Sequence, residues 1–251
     1  HCANITAAYT GSTPQNKAVK WLMSKEEVSS CQDEYFVERY ALAVLNFAAP
    51  IVKVANESAA MLKLEQLNQT TFSDKQLWIK NELPQCIWRE VACIDGAVTE
   101  LDLGHLSLLG TIPTEIGLLS HLQKLDLIDN QLFGSIPSEI GEWADSLTYI
   151  SFENNFLTGS IPSSLNLLPS LQWMTVGKNN ITGTLFTELG LMSSLVWLFV
   201  DNNRLSGTIP SEISEMANLQ GLYIAENNLY GSIPDRKSTR LNSSHTVISY
   251  A

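Results

Sequence analysis

The second half of the chain consists of six copies of one pattern, and this repeat constrains the fold more than any other feature. Each copy runs from a leucine-rich stretch to a glycine, and most copies add an asparagine before the glycine and an Ile-Pro pair after it. The copies begin 24 or 25 residues apart, at Val98, Leu122, Leu147, Leu171, Leu195 and Leu219. A period of this length is typical of a solenoid, in which every copy forms one turn.

Apolar residues alternate with other residues in the leucine-rich stretch, which predicts a short strand with one buried face. A single turn cannot bury this face alone, so equivalent side chains of neighbouring turns must stack in shared columns. The first predicted core column contains Leu125, Ile150, Met174, Leu198 and Leu222, and the second contains Leu127, Phe152, Val176, Val200 and Ile224.

Three further positions shape each turn. The asparagine amide can bond the backbone of its own and adjacent turns where the chain leaves the strand. The glycine provides the sharp turn that follows, and the Ile-Pro pair fixes an extended segment on the outer side. The asparagine column contains Asn130, Asn155, Asn179, Asn203 and Asn227. Copy one departs from it with Leu106, and copy four replaces Ile-Pro with Leu185 and Phe186.

This pattern resembles the plant-type leucine-rich repeat, LxxLxxLxLxxNxLxGxIP, over residues 98–234. The resemblance implies a curved solenoid, a horseshoe or superhelix, whose parallel sheet lines the concave side. With the helix signals that precede the repeats, the expected fold class is α/β: a leucine-rich repeat solenoid with an N-terminal helical cap. A fold of this kind does not by itself identify a ligand.

The segment before the repeats, CIWREVAC, is similar to the cap of plant-type repeat ectodomains, CxWxGVxC, with Glu90 where that family has glycine. The resemblance implies a cap over residues 86–97 that is pinned by a disulfide between Cys86 and Cys93, and an oxidising compartment. Two reduced, buried thiols are the alternative. Trp88 is expected to pack on the first turn. Cys2 and Cys31 remain, and they either pair with each other or have partners outside this sequence.

Residues 1–85 carry helix signals. Ser12-Thr13-Pro14 is typical of a helix start with proline in the first turn. A second helix is predicted in EYFVERYALAVLNFA, with Asp33 as its cap, and a third over residues 55–67. The strings TPQNKAVKWL, ERYALAVLNFA and CIWREVAC are similar to repeat proteins of diatoms and related algae. In many of those proteins a membrane span and a cytoplasmic tail precede this region.

The last residues, 235–251, abandon the repeat and read DRKSTRLNSSHTVISYA. This string resembles the translated read-through of a sequencing adapter, since the codons GAT CGG AAG AGC followed by ACA CGT CTG reproduce such an adapter from its first residue. We therefore predict a disordered tail that is an artefact of sequencing and exclude it from the fold. A genuine polar C-terminal tail is the alternative.

Composition and motifs exclude several classes of function. The 251 residues are 45% hydrophobic and carry a net charge of -11, which disfavours nucleic acid and anionic membrane surfaces as partners. No apolar run is long enough to cross a bilayer, so membrane association is expected only through a segment outside this sequence. His105 and His121 lie near the first turns without a recognisable nucleophile, and no metal-site or phosphate-loop motif is present. We therefore expect no enzyme activity, catalytic residue, metal or cofactor.

The side chains that alternate with the core columns are expected to face the open concave surface. In copies three to six these positions are rich in aromatic residues, with acidic residues beside them and Lys178 as the basic exception. Exposed aromatic patches mark recognition surfaces, so we expect a partner with apolar and cationic parts, such as a basic peptide or protein loop. The alternative is that the rings cover one another or a second copy of the chain. The predicted ligand-binding residues are Tyr149, Trp173, Trp197, Phe199, Tyr223, Glu153, Asp201 and Glu226.

Sequons and cysteines indicate the compartment. Predicted glycosylation sites are Asn4, Asn56, Asn68 and Asn180. Together with the cap they favour an extracellular or cell-surface location. We therefore expect a module that recognises protein or peptide ligands. It would be a fragment of a receptor-like or cell-surface protein, and that whole protein could cross the membrane once through a segment outside this sequence. The alternatives are a structural or adhesive component of the cell wall, and the sensor ectodomain of a receptor kinase.

Overall fold

The computed structural model describes residues 13–23, 36–49, 85–88, 90–142, 146–232, 234 and 247–249. Two α-helices precede the repeats, α1 (Pro14–Met23) and α2 (Phe36–Ala48). α1 begins at Pro14 as predicted, and the Thr13 hydroxyl caps it by accepting the backbone N–H of Asn16 at 3.2 Å. The predicted cap Asp33 and the predicted helix over 55–67 lie outside the described residues.

Each repeat contributes one short strand to a main sheet, and most repeats contribute a second strand on the outer side. In chain order the strands are β1 (Val91–Ile94), β2 (Ala97–Asp102), β3 (Leu109–Thr111), β4 (Lys124–Asp126), β5 (Gln131–Ser135), β6 (Tyr149–Ser151), β7 (Phe156–Thr158), β8 (Trp173–Thr175), β9 (Trp197–Phe199), β10 (Ser206–Thr208), β11 (Gly221–Tyr223), β12 (Asn228–Tyr230) and β13 (Val247–Ser249). The main sheet has the order β1-β2-β4-β6-β8-β9-β11-β13, and only the β1–β2 hairpin is antiparallel.

The strands of the main sheet pair in register, which stacks the core columns as predicted. Leu125 is the register partner of Leu101 on one side and of Ile150 on the other, and the same pairing continues to the last repeat. All ten residues of the two predicted columns are at most 3% exposed. The predicted solenoid with a parallel sheet is therefore confirmed, and its turns share one continuous core.

The asparagine column ties each turn to the one before it. The side-chain amide of Asn155 donates to the carbonyl of Leu127 one turn earlier, at 2.9 Å, and to the carbonyl of Phe152 in its own turn. Its amide oxygen accepts the backbone N–H of Leu132 at 2.9 Å. Because the same set of bonds recurs at the other four asparagines, the column satisfies buried backbone groups that the strands leave unpaired.

The outer side carries a second set of parallel strands, which the sequence does not predict. β3, β5 and β7 form one sheet, and β10 pairs with β12. Copy four interrupts this series without altering the path of the chain, since Phe186 has φ -83° and ψ 149°, close to Pro113 with φ -79° and ψ 152°. The Leu185-Phe186 departure therefore changes the side chain and keeps the extended backbone.

The cap closes the N-terminal end of the solenoid. Cys86 and Cys93 form a disulfide with a Cα–Cα distance of 5.4 Å, and Trp88 is buried against the core. α2 lies on the first turn so closely that a Cβ atom on Gly110 would stand 1.8 Å from the carbonyl oxygen of Ala48. The helices and the hairpin together cover the hydrophobic layer that the first turn would otherwise expose.

A buried carboxylate fastens α2 to the edge of the sheet. Glu38 is 7% exposed, and both of its carboxylate oxygens accept the backbone N–H of Val98, at 3.2 and 3.1 Å. Burial raises the pKa of the Glu38 carboxyl, and this effect outweighs the lowering by the Val98 N–H, His121 and Gln85. The folded protein therefore favours the protonated carboxyl more than the unfolded chain does.

Replacing Glu38 with glutamine should raise the thermal midpoint of unfolding at pH 7. A raised folded-state pKa contributes stability that is present below the ordinary pKa of a carboxyl and lost as the pH rises through the raised value. Glutamine keeps a carbonyl acceptor for the Val98 N–H and removes the buried charge. Melting curves between about pH 4 and neutrality should show the gain shrinking as the pH falls. A gain that is equal at every pH would contradict this assignment.

The prediction of a disordered tail is wrong for Val247–Ser249. These residues form β13, which pairs in parallel with β11 through the partners Gly221 and Val247. β11 otherwise ends the main sheet with a row of unpaired backbone groups, and the β-branched Val247 and Ile248 suit an added edge strand. The rest of 235–251 lies outside the described residues, and its likeness to an adapter remains a prediction.

Candidate functional site

Five aromatic side chains form one contiguous strip on the concave face of the main sheet. We call Tyr149, Trp173, Trp197, Phe199 and Tyr223 the aromatic strip. Its ring centroids are separated by 4.3 Å between Phe199 and Tyr223, 5.0 Å between Trp173 and Phe199, and up to 6.4 Å between Trp197 and Tyr223. The parallel register produces this arrangement, because equivalent positions of consecutive turns lie side by side.

The strip is half-buried, whereas the sequence predicts side chains that face open solvent. Two short residues on the same face are buried more deeply than the strip, since Ser151 is 0% and Thr175 is 3% exposed. The larger neighbouring rings shield these short side chains. The rings therefore cover one another in part, as the alternative interpretation of the sequence held, and still form the surface of the concave face.

Gly221 leaves space on the sheet for the side chain of Trp197. A Cβ atom at this position would stand 2.3 Å from Cε3 of Trp197 and 3.0 Å from a ring carbon of Tyr223. Trp197 thus lies over the backbone of the next strand, in the space that a side chain of residue 221 would occupy. The strip ends at β11 because this glycine replaces the aromatic residue of the two preceding turns.

Replacing Gly221 with alanine should disturb the strip without removing a ring. The added methyl group overlaps the indole of Trp197, so the indole must rotate away from Trp173, whose centroid is 5.8 Å distant. We expect a large change in the near-ultraviolet circular dichroism of the tryptophans, with a loss of stability of about 1–3 kcal/mol from overpacking. Gly190→Ala is a suitable control, because the nearest atoms to its added methyl group all belong to Glu212, so it overpacks the chain without touching the strip. An unchanged tryptophan spectrum in Gly221→Ala would contradict the packing.

Stacking determines which parts of the rings remain accessible. The planes of Phe199 and Tyr223 are inclined by 12°, and those of Trp197 and Phe199 by 14°. Stacked rings cover each other's electron-rich faces and leave their edges, which carry partial positive charge, toward solvent. At the N-terminal end Lys124 already lies over Tyr149, 5.6 Å from the ring centroid. The expected cation recognition by ring faces is therefore limited, and cations must be recognised mainly by carboxylates.

The acidic residues beside the strip differ in whether their charge is paired with a cation. Glu153 pairs with Lys178 at 2.7 Å, and this ion pair raises the pKa of Lys178. Asp201 accepts a hydrogen bond from the amide of Asn202 at 3.0 Å, and Glu226 is exposed. In the part of the chain that the structure describes, no cation forms a salt bridge with either residue, but Lys178 is close enough to Asp201 for this carboxylate to raise the pKa of the lysine. The negative charge at the C-terminal end of the strip is therefore only partly offset.

The N-terminal end of the concave face holds further polar pairs. Lys124 forms an ion pair with Asp102, and a ring nitrogen of His105 contacts a carboxylate oxygen of Asp129, both at 3.0 Å. Burial raises the pKa of the Tyr149 hydroxyl, with a further contribution from the nearby Asp126. The concave face thus changes along its length from paired charges, through apolar rings, to unpaired carboxylates.

Other predicted sites are less informative. Asn180 is half-buried beside the asparagine column, and Asn4, Asn56 and Asn68 lie outside the described residues. Over the described ranges no three His, Cys, Asp or Glu side chains converge in a group able to hold a metal ion. Sequence reasoning missed a column of non-glycine residues with left-handed φ near 50°, which immediately precedes the asparagines and includes Lys178 and Glu226.

Comparisons with known proteins agree with the fold. A family model described as Leucine Rich Repeat matches residues 121–143, 146–168 and 194–216. The chain is 37% identical over 93 residues to the Leucine-rich repeat protein 1 of Oryza sativa subsp. indica and subsp. japonica. The aligned region covers 35% of this chain. It spans about 44% of the length of these curated relatives. Neither described helix is long and apolar enough to cross a membrane.

Several solved structures are also similar to this chain. The structure of PEPR1-AtPEP1 has a TM-score of 0.60 and 30% identity, and the match covers 71% of this chain and 26% of that chain. The Arabidopsis receptor kinase HAESA, in complex with the peptide hormone IDA and the co-receptor SERK1, has a TM-score of 0.58 and 29% identity. That match covers 70% of this chain and 30% of the receptor chain.

Proposed function

Since this chain is a plant-type leucine-rich repeat protein, we propose that it recognises a peptide or protein segment on its concave face, outside the cell. In this proposal it is the ligand-binding part of a receptor-like or cell-surface protein, and it performs no catalysis itself. The observation that carries the proposal is the aromatic strip on the concave face, which lies beside Asp201 and Glu226, two carboxylates without a salt bridge in the described part of the chain.

Packing alone does not require aromatic residues in the strip. The first two turns have Glu100 and Lys124 in the column that later holds Tyr149, Trp173 and Trp197, and those strands pair equally well. The strip also leaves the indole N–H of Trp173 buried without a hydrogen-bond partner in the described part of the chain. A buried indole N–H usually finds a partner. An arrangement that is dispensable for the sheet and imperfect in its hydrogen bonds favours a role in binding.

The exposed chemistry suits an extended peptide better than a sugar. Sugar rings stack on open aromatic faces, and here Phe199 and Tyr223 stack closely on each other, with centroids 4.3 Å apart. Ring edges accommodate apolar side chains and backbone carbonyl oxygens. Asp201 and Glu226 then attract a basic side chain at one end of the ligand. The similar receptor kinase HAESA supports the same class, because it was solved with the peptide hormone IDA.

Selection from a random peptide display library tests this function. The full chain is immobilised, and enriched peptides are counter-screened against a Trp173→Ala, Trp197→Ala double variant. We expect enriched peptides that combine apolar and basic residues, and that lose binding to the double variant and at high salt. Tyr230→Ala is a matched control, because this aromatic residue is 66% exposed on the outer side. Enriched peptides that bind the double variant as well as the parent chain would contradict the proposal.

A further inference from the structure

A pocket lies at the junction between the cap and the solenoid, and no residue of the aromatic strip lines it. It has a volume of about 480 Å³ and lies between α2, the β1–β2 hairpin and the first two turns. Its lip is formed by Val37, Ile94 and Leu118, and Glu38 is among the residues that line it. A concave, partly apolar pocket with a few polar groups is the usual form of a ligand site.

The apolar lip is unusual for this surface. Six large hydrophobic residues are exposed in the described part of the chain, and three of them surround this pocket. Val37 is 39%, Leu118 is 42% and Ile94 is 57% exposed. Single exposed apolar side chains need no explanation, but a cluster around one cavity marks an interaction site. The other three are Leu167, Leu191 and Tyr230.

The carboxylate of Glu38 supplies the polar end of the pocket. An ionised carboxylate has about four acceptor positions, and the N–H of Val98 and the side chain of Gln85 occupy only part of them. Its pKa is raised by burial, so the charged form lowers the stability of the protein at neutral pH. A group that costs stability yet lies in a cleft is a candidate for binding. The remaining charged and polar side chains of the pocket are Asp95, His121, Ser120, Gln123, Thr99 and Ser146.

We propose that this pocket binds a lysine or arginine side chain of a partner protein. The aliphatic stem of such a residue lies on Val37, Ile94 and Leu118, and its cationic head reaches Glu38. Long basic side chains combine these two requirements, since their stems pack on apolar surface while the charge remains paired. The negative charge of Glu38, Asp95 and the chain as a whole disfavours an anionic occupant. This contact is independent of the concave site, so either can fail without the other.

A matched pair of small probes tests the site on the full chain. Nuclear magnetic resonance titrations compare N-acetyl-lysine methylamide with N-acetyl-norleucine methylamide, which has a similar aliphatic chain and no charge. We expect saturable shifts of the Val98 and Ile94 amide signals with the lysine probe, and binding at least about tenfold weaker with the norleucine probe. Equal binding of the two probes, or no saturable shift with lysine, would overturn the proposal.

Two variants separate recognition from folding. Glu38→Gln, which keeps the acceptor for Val98, should weaken the lysine probe about tenfold and leave the norleucine probe unchanged. Ile94→Ser acts on an exposed lip residue and should weaken both probes several-fold. Leu191→Ser is the control, because that leucine is 69% exposed in a different turn. A Glu38→Gln variant that folds normally and binds the lysine probe with parental affinity also overturns the proposal.

Discussion

Replacing Asn179 with alanine should lower the free energy of unfolding by about 3 kcal/mol, the largest effect expected of any single polar residue in the solenoid. Its amide oxygen accepts the backbone N–H of Leu157 at 2.9 Å, and its amide nitrogen donates to the carbonyl oxygens of Phe152 and Val176. All these groups are buried. Alanine leaves the Leu157 N–H without a partner in an apolar environment, and water cannot reach it without opening the turn.

The effect should spread to neighbouring turns, because each repeat is stable only through its neighbours. Denaturant unfolding followed by circular dichroism measures it, and hydrogen exchange should show weaker protection on both sides of the fourth repeat. Asn166→Ala is the matched control, since this asparagine is half-buried and lies outside the column. It should change stability by no more than about 0.5 kcal/mol. Equal effects of the two substitutions would show that the column does not hold the turns together.

Truncating Trp197 to alanine should weaken the binding of a selected peptide by about 30-fold, which corresponds to about 2 kcal/mol. Trp197 contacts Trp173, Phe199 and Tyr223, so it is the centre of the strip. Its removal deletes a large apolar contact and loosens the neighbouring rings. The central, partly desolvated aromatic residue of an interface usually carries most of its binding energy.

Isothermal titration calorimetry with a peptide from the display selection measures this effect. Tyr230→Ala removes an aromatic ring from the outer side and should leave the dissociation constant within about twofold. Melting curves of each variant exclude a loss of binding that follows from unfolding. Parental affinity in Trp197→Ala would remove the strip from the ligand site.

The repeat was readable from the sequence because each position has one dominant physical role. Leu125 and Leu198 are buried because they lie on the core side of the paired strands. The amide of Asn155 reaches the carbonyl of the preceding turn because it stands where the chain leaves the strand. Such local, periodic constraints predict the core columns, the asparagine column and the order of the strands. Parallel pairing then follows from the connection of each turn to the next.

Features that depend on distant or variable residues were not readable. The bond between Glu38 and Val98 joins residues 60 positions apart, and no local pattern announces it. The packing of the strip depends on the space above Gly221, which Trp197 fills. The alternation of buried and exposed positions along the sequence does not reveal such a space. The second set of strands on the outer side is short and lacks alternation, so β3 and β10 gave no periodic signal.

The crystal structure of the chain with its tightest selected peptide tests the central claim most directly. We expect the peptide to lie along the concave face, with an apolar side chain against Trp173 or Trp197 and a basic side chain within hydrogen-bonding distance of Asp201 or Glu226. A peptide bound on the outer strands, or in the cap pocket alone, would contradict the assignment of the aromatic strip as the ligand site.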